Sequence, residues 1–168
     1  MTTRRTTDGR PALPAGRQRR AARLPIGLYR IGLGPLFGKR LLLLHHQGRK
    51  SGLDRKVVLE VVAYDRAAGH WIIASGFGPK SAWYQNLRHA SKTTIQFGRR
   101  HYAVTAHFLT EAEGGEIMAR YAPAHPRAAR RLCAFMGFDI DGSTDAYRRV
   151  GQRIPFVCLD AAPGQHLP

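Results

Sequence analysis

The sequence predicts a mixed α+β domain built around a small barrel of about six mostly antiparallel strands with flanking helices. Three observations carry this. Three β-type runs occur early and are joined by short glycine-bearing turns, the mark of an antiparallel meander. A helical segment, "PKSAWYQNLRHA", then interrupts the strand pattern before two further strands follow. A long helical stretch separates those from one last strand, "RIPFVCLD". Six strands suffice to curl and close.

The elements follow in order. "RLLLLHHQ" (40–47) is a continuous apolar run ending in polar residues, and "KVVLEVVAYD" (56–65) is β-branched and longer. "HWIIASG" (70–76) follows a turn at Gly69. In 79–90, Pro79 suits a first helical turn and Trp83, Asn86 and Leu87 recur at i, i+3, i+4, the spacing of one helix face. "KTTIQFG" (92–98) and "RHYAVTAHFLT" (100–110) are strands joined at Gly98–Arg99. Residues 111–137 read as helical, acidic at the start as a helix dipole prefers, with interruptions at Pro123 and Pro126. "AYRRVGQR" (146–153) reads as a basic loop, a lip over a site or a solvated segment, before the final strand at 153–160.

Residues 1–23 hold seven arginines, one acid and two prolines. Such a segment buries too little apolar surface to offset its ordering entropy, so a disordered basic arm is expected there, with one domain over 24–168. Within it, "LPIGLYRIGLGPLFG" (24–38) reads as a short amphipathic helix that packs on the domain or lies on a membrane surface. No run reaches the roughly 18–20 apolar residues needed to span a bilayer, and no apolar region follows the N-terminal arginines. A cytoplasmic location is expected, with peripheral membrane contact through residues 1–38 as an additional possibility.

The chain carries Lys+Arg 27 against Asp+Glu 11, a net charge of +16. That excess attracts polyanions, be they nucleic acid, acidic lipid or a multiply charged ligand. No RNP-type aromatic set and no recognition helix support nucleic-acid binding. Cys133 and Cys158 lack metal-type spacing, and HExxH, paired C-x-x-C and GxSxG motifs are absent. His45 and His46 are adjacent on a strand, point to opposite faces and cannot chelate one ion together. No metal site and no role for these histidines are expected.

The densest motif is "GRKSG" (48–52) between the first two strands. It is not a Walker A loop, which needs a glycine before the lysine and a following helix. Its chemistry still suits an anion. Gly48 and Gly52 permit a sharp turn in which successive N–H groups face one concavity. Arg49 supplies a planar fork, Lys50 a point charge and Ser51 a hydroxyl, with Arg55 close enough to return. An ordinary basic hairpin turn is the competing reading. "ASGFG" (74–78) allows close backbone approach to a flat ligand, or is a loop glycine cluster. "WYQNL" (83–87) is a pocket-lining set or a core tryptophan with a capping amide.

Taken in order, GRKSG, the strand-end serine–glycine loop and W-Y-x-N-L resemble the deazaflavin-dependent nitroreductase family of actinobacteria over roughly residues 24–160. The resemblance implies a split β-barrel and coenzyme F420, a 5-deazaflavin with an anionic tail, with FMN as the second candidate. It implies hydride transfer from the reduced cofactor to a quinone, nitroaromatic or similar small-molecule acceptor. Arg49, Lys50, Ser51, Gly52 and Arg55 match the phosphate-and-tail site. Val57 and Val58 stand where a branch of the family lines the ring with Asn-Pro. Ala74, Ser75 and Gly76 match the loop beside the deazaflavin, and Trp83 and Asn86 the helix that completes the pocket. Ser75 is the candidate for a hydrogen bond near the reactive edge, and Tyr147 for an acceptor-side tyrosine. Other occupants of the same barrel would be FMN, haem or a fatty acid, and the protein would be a monomer or a homodimer.

Overall fold

The computed structural model describes residues 40–168. The expected arm at 1–23 and the short helix in 24–38 lie outside these residues. The described chain divides into two compact units, a barrel and a smaller helical unit formed by Ser75–Ser81 and Phe108–Phe156.

The barrel is closed, with strands in the order β1-β2-β3-β6-β5-β4. They are β1 (Leu41–Gln47), β2 (Asp54–Asp65), β3 (His70–Ala74), β4 (Lys92–Phe97), β5 (Arg100–Phe108) and β6 (Phe156–Ala161). The first three form the expected antiparallel meander, with Leu44 opposite Val57 and Tyr64 opposite Trp71. β4 closes back antiparallel onto β1 and pairs antiparallel with β5. The β2–β3 register shifts between Val61 and Ala63. The extra residue is a bulge, which increases local twist and helps a long strand turn the corner of a small barrel.

Period-2 alternation is clearest in β5, where Tyr102, Val104 and Ala106 are buried and His101, Ala103 and His107 are exposed. Inside the barrel Trp71 stacks on Tyr64 at 5.2 Å and meets Phe97 and Tyr102 at 5.6 and 5.3 Å. Leu42, Leu43 and Leu44 are all buried, so both faces of β1 are covered. Helix α1 (Ala82–His89) packs against β1, which explains why β1 reads as a continuous apolar run rather than an alternating one.

The helical unit contains α2 (Glu111–Ala124), α3 (Pro126–Met136) and α4 (Thr144–Arg153). A capping box opens α2: Thr110 Oγ1 accepts from Glu113 N–H while the Glu113 carboxylate accepts from Thr110 N–H. Of the two expected interruptions only Pro126 begins a new helix, and Pro123 sits within the last turn of α2. Gly137, left-handed at φ 80°, ends α3.

The basic loop expected at 146–153 is a helix instead. Ser143 caps α4 by accepting from Ala146 N–H, and Ala146, Tyr147, Val150 and Gly151 are its buried face. Arg148 turns outward to Glu116 at 2.8 Å and Asp145 at 2.5 Å. α2 and α4 cross at glycines. A Cβ on Gly114 would stand 2.7 Å from Gly151 O, and one on Gly151 would stand 2.6 Å from Met118 Cβ.

Candidate active site

The β1–β2 connection is a closed turn. Gly48 N–H donates to Leu53 O at 2.9 Å, and Ser51 and Gly52 N–H donate to Gly48 O at 3.0 and 2.7 Å. Gly52 is left-handed at φ 65°, which favours glycine there. Gly48 has a different reason. A Cβ on it would lie 2.6 Å from Ser51 Oγ and 3.0 Å from Arg55 Nε. The missing side chain is what lets the Ser51 hydroxyl and the Arg55 guanidinium converge, Arg55 Nη2 donating to Ser51 Oγ at 3.5 Å.

This geometry corrects the expected anion nest. The N–H groups of Gly48, Ser51 and Gly52 are spent on carbonyls of the turn itself. The Arg49 N–H is also spent, on Asn86 Oδ1 at 3.1 Å. The side chains of Arg49, Lys50, Ser51 and Arg55 at this turn are exposed. The convergence of cations on a turn held open by Gly48 fits a phosphate- and carboxylate-bearing tail.

Arg49 is fixed twice, because its Nη1 also donates to Asn86 Oδ1, at 3.2 Å. Asn86 is 3% exposed. With its oxygen facing Arg49, its Nδ2 must donate the 2.8 Å hydrogen bond to His46 Nδ1. His46 Nδ1 is then an acceptor, and the imidazole is neutral with its proton on Nε2. Burial, with Arg55 second, pushes the His46 pKa down to about 4. His46 thus orients Asn86, and Asn86 holds Arg49. His46, for which the sequence suggests no role, ends the apolar run "LLLLHH" and is buried with it.

The sign of the pH effect follows. The unfolded His46 takes up a proton near pH 6.5 and the folded one only near 4. Stability from this group is present above pH 6.5 and is lost as pH falls through that window, by up to roughly 3 kcal/mol. Denaturant unfolding at stepped pH should show this fall, and His46→Gln should flatten it. An equal pH slope in the two proteins would refute the assignment.

Val57 and Val58 are half-buried on β2 opposite Leu44 and Leu43. Trp83 is buried beside Tyr84 on α1, with ring centroids 5.8 Å apart. Ala74 ends β3, so the third strand stops two residues earlier than expected. An open polar pocket of about 300 Å³ is lined by His45, His46, Asp54 and Lys92 among others. No residue expected at the site lines it.

In the helical unit, Ser75 is 1% exposed. Its hydroxyl donates to Gly78 O at 2.7 Å. Its one proton is thereby used, so in the 2.7 Å contact with Ser81 Oγ it is Ser81 that donates. Ser75 N–H also donates to Pro155 O at 2.9 Å. The Ser75 hydroxyl, the candidate for a hydrogen bond near the reactive edge, thus forms a staple that shapes the 75–81 loop. Gly76 has open space where a Cβ would be. Tyr147 is 5% exposed on α4 rather than displayed on a loop.

The model of the F420H(2)-dependent quinone reductase family matches residues 28–131. The chain belongs to this family. The match includes the 48–55 turn, the 74–76 segment and α1, and it stops before Tyr147. No curated protein matches the chain significantly. Among solved structures, an F420-H2 dependent reductase (FDR-A) is 20% identical, with a TM-score of 0.49 over 73% of this chain and 95% of that one. A structure described as a domain-swapped dimer is 19% identical, with a TM-score of 0.51 over 86% of this chain and 100% of that one. A pyridoxamine 5'-phosphate oxidase-related, FMN binding protein from Nostoc punctiforme is 12% identical, with a TM-score of 0.50 over 89% and 83%. The architecture is the split barrel. As a member of the quinone reductase family the chain is an F420H2-dependent oxidoreductase, and coenzyme F420 is its cofactor.

Proposed function

We propose that this reductase holds the anionic tail of coenzyme F420 on the β1–β2 turn through Arg49, Lys50, Ser51 and Arg55, and reduces a small electron-poor acceptor of the quinone class. The family match across the segment containing that turn and α1 carries the reading. When bound, the reduced cofactor supplies a two-electron hydride, which asks of the protein positioning and exclusion of water rather than a redox-active side chain. In this reading Lys50 and Arg55 are the mobile charges of the tail site, and Arg49 is a charge pre-set by Asn86. Gly52 lets the turn close. Val57 and Val58 give the ring an apolar wall, and Ala74 offers bare backbone at its edge. Trp83 and Asn86 support the pocket from α1. Within the helical unit, Ser75 shapes the 75–81 loop and Tyr147 fills the buried face of α4.

The positive surface steers the polyanion to this turn. Among the described residues no helix is long and apolar enough to cross a membrane. Contact with a membrane surface through residues 1–38 would follow from their arginines, and a homodimer is an assembly open to this fold.

Mixing the protein with reduced F420 and menadione should restore the oxidised cofactor's absorbance at a rate proportional to enzyme. Lys50→Ala and Arg49→Ala should each weaken coenzyme binding by about 1–3 kcal/mol, the range for charge-assisted hydrogen bonds. Unaltered affinity in both variants would remove the tail assignment while leaving the activity standing.

A further inference from the structure

Away from the β1–β2 turn, three neighbouring strands of the barrel bring metal-ligating side chains together on the outer face. Cys158 and Asp160 are two apart on β6, so they share a face, while Val157 and Leu159 between and before them are buried inward. β6 lies between β3 and β5 in the barrel order. His70 opens β3 and is half-buried, and its neighbour Trp71 points inward. The ligand atoms of His70, Cys158 and Asp160 all lie within 4.8 Å of one another. Cys158 Sγ donates to Asp160 Oδ1 at 3.2 Å, and His107 Nε2 on β5 lies 3.2 Å from the other carboxylate oxygen, Oδ2.

We propose that His70, Cys158 and Asp160 form a binding site for a divalent transition cation, zinc first, with His107 holding the Asp160 carboxylate in place. The donor set is one imidazole, one thiol and one carboxylate, which suits zinc and its neighbours and disfavours magnesium or calcium. Zinc bound at about 2.0–2.3 Å to such atoms needs them roughly 3.3–3.8 Å apart. The sulfur–oxygen pair is already near that spacing, and side-chain rotation closes the rest. Three protein ligands leave a fourth position for water. His107 plays the outer part that commonly orients a ligating group. Binding deprotonates Cys158, so one proton leaves per ion and affinity rises with pH. The ion would tie β3 to β6, with β5 joined to them through His107. The linear sequence concealed the site because its ligands come from two strands far apart in the chain, His70 on β3 and Cys158 and Asp160 on β6.

The test is a cobalt titration of the reduced, chelator-treated full chain, followed by displacement with zinc. One equivalent of cobalt should give a thiolate-to-metal charge-transfer band in the near ultraviolet. Cys158→Ser should abolish the band, and Cys133→Ser should leave it. His70→Ala and Asp160→Asn should weaken affinity at least about tenfold, and His107→Ala about 10–100-fold. Circular dichroism identifies any variant that fails to fold. Because the His107 side chain is 59% exposed, that variant offers a reading even where Cys158→Ser does not. Absence of the band at saturating cobalt, its survival in Cys158→Ser, or unchanged affinity in His70→Ala and His107→Ala would each overturn the proposal.

Discussion

Asn86→Leu should destabilise the protein by about 3–5 kcal/mol and weaken F420 binding with it. The leucine keeps the branched shape of the amide and removes every hydrogen bond its side chain makes. Arg49 loses the acceptor of both its backbone N–H and its Nη1. His46 Nδ1, buried, loses its donor. A buried polar group left unpaired costs about 1–3 kcal/mol; His46 Nδ1 is one, and loss of the two part-buried Arg49 hydrogen bonds adds to it. Denaturant unfolding measures the stability and a coenzyme titration the affinity. Asn86→Asp separates shape from polarity. A carboxylate still accepts from Arg49, but it presents an oxygen to His46 Nδ1, which then needs a proton to bond. The His46 pKa should rise well above about 4, visible by NMR titration. A variant that keeps the low pKa would mean that Asn86 does not set the tautomer.

Gly151→Ala should cost about 2–4 kcal/mol, at the upper end for overpacking. The added methyl would collide with the Gly114 carbonyl, stand 2.6 Å from Met118 Cβ and 2.9 Å from Gly115 Cα. These are backbone or backbone-anchored atoms on the facing helix, so the helices must separate. Gly115→Ala provides the comparison. Its methyl would meet Arg148 Cγ and Gln152 Cγ at 3.1 Å and Arg148 O at 3.2 Å, contacts that need only a few tenths of an ångström of relief. The predicted order of cost is therefore Gly151 well above Gly115, read from denaturation midpoints. Equal costs would show that α2 and α4 do not approach as closely as these glycines imply.

The barrel was legible because its strands advertise themselves locally. β-branched runs, period-2 alternation in β5 and turns at Gly69 and Gly98 place the strands, and all six lie within a few residues of expectation. α4 was not legible because its composition argues against it. Arg148, Arg149 and Arg153 read as a solvated segment, and Gly151 reads as a helix breaker. The structure uses Gly151 for close helix crossing, and the buried set at 146, 147, 150 and 151 is a helical face. The Ser143 cap three residues before Ala146 was the signal available. At the site, the cationic residues of the turn were legible by type, but their division of labour was not. That Asn86 rather than an anion occupies the Arg49 N–H depends on α1 folding back against β1, a long-range contact that no local pattern reports. Ser75 is a similar case: a serine near a glycine looks available for chemistry until Gly78 and Ser81 are seen to use its hydroxyl.

Whether the β1–β2 turn binds the tail of a deazaflavin is read from a paired fluorescence titration of coenzyme F420 and FMN. F420 should bind saturably and more weakly on Lys50→Ala, with FMN, which lacks the long anionic tail, bound more weakly and with little response to that substitution. Tight FMN binding with no saturable F420 binding would contradict the tail assignment.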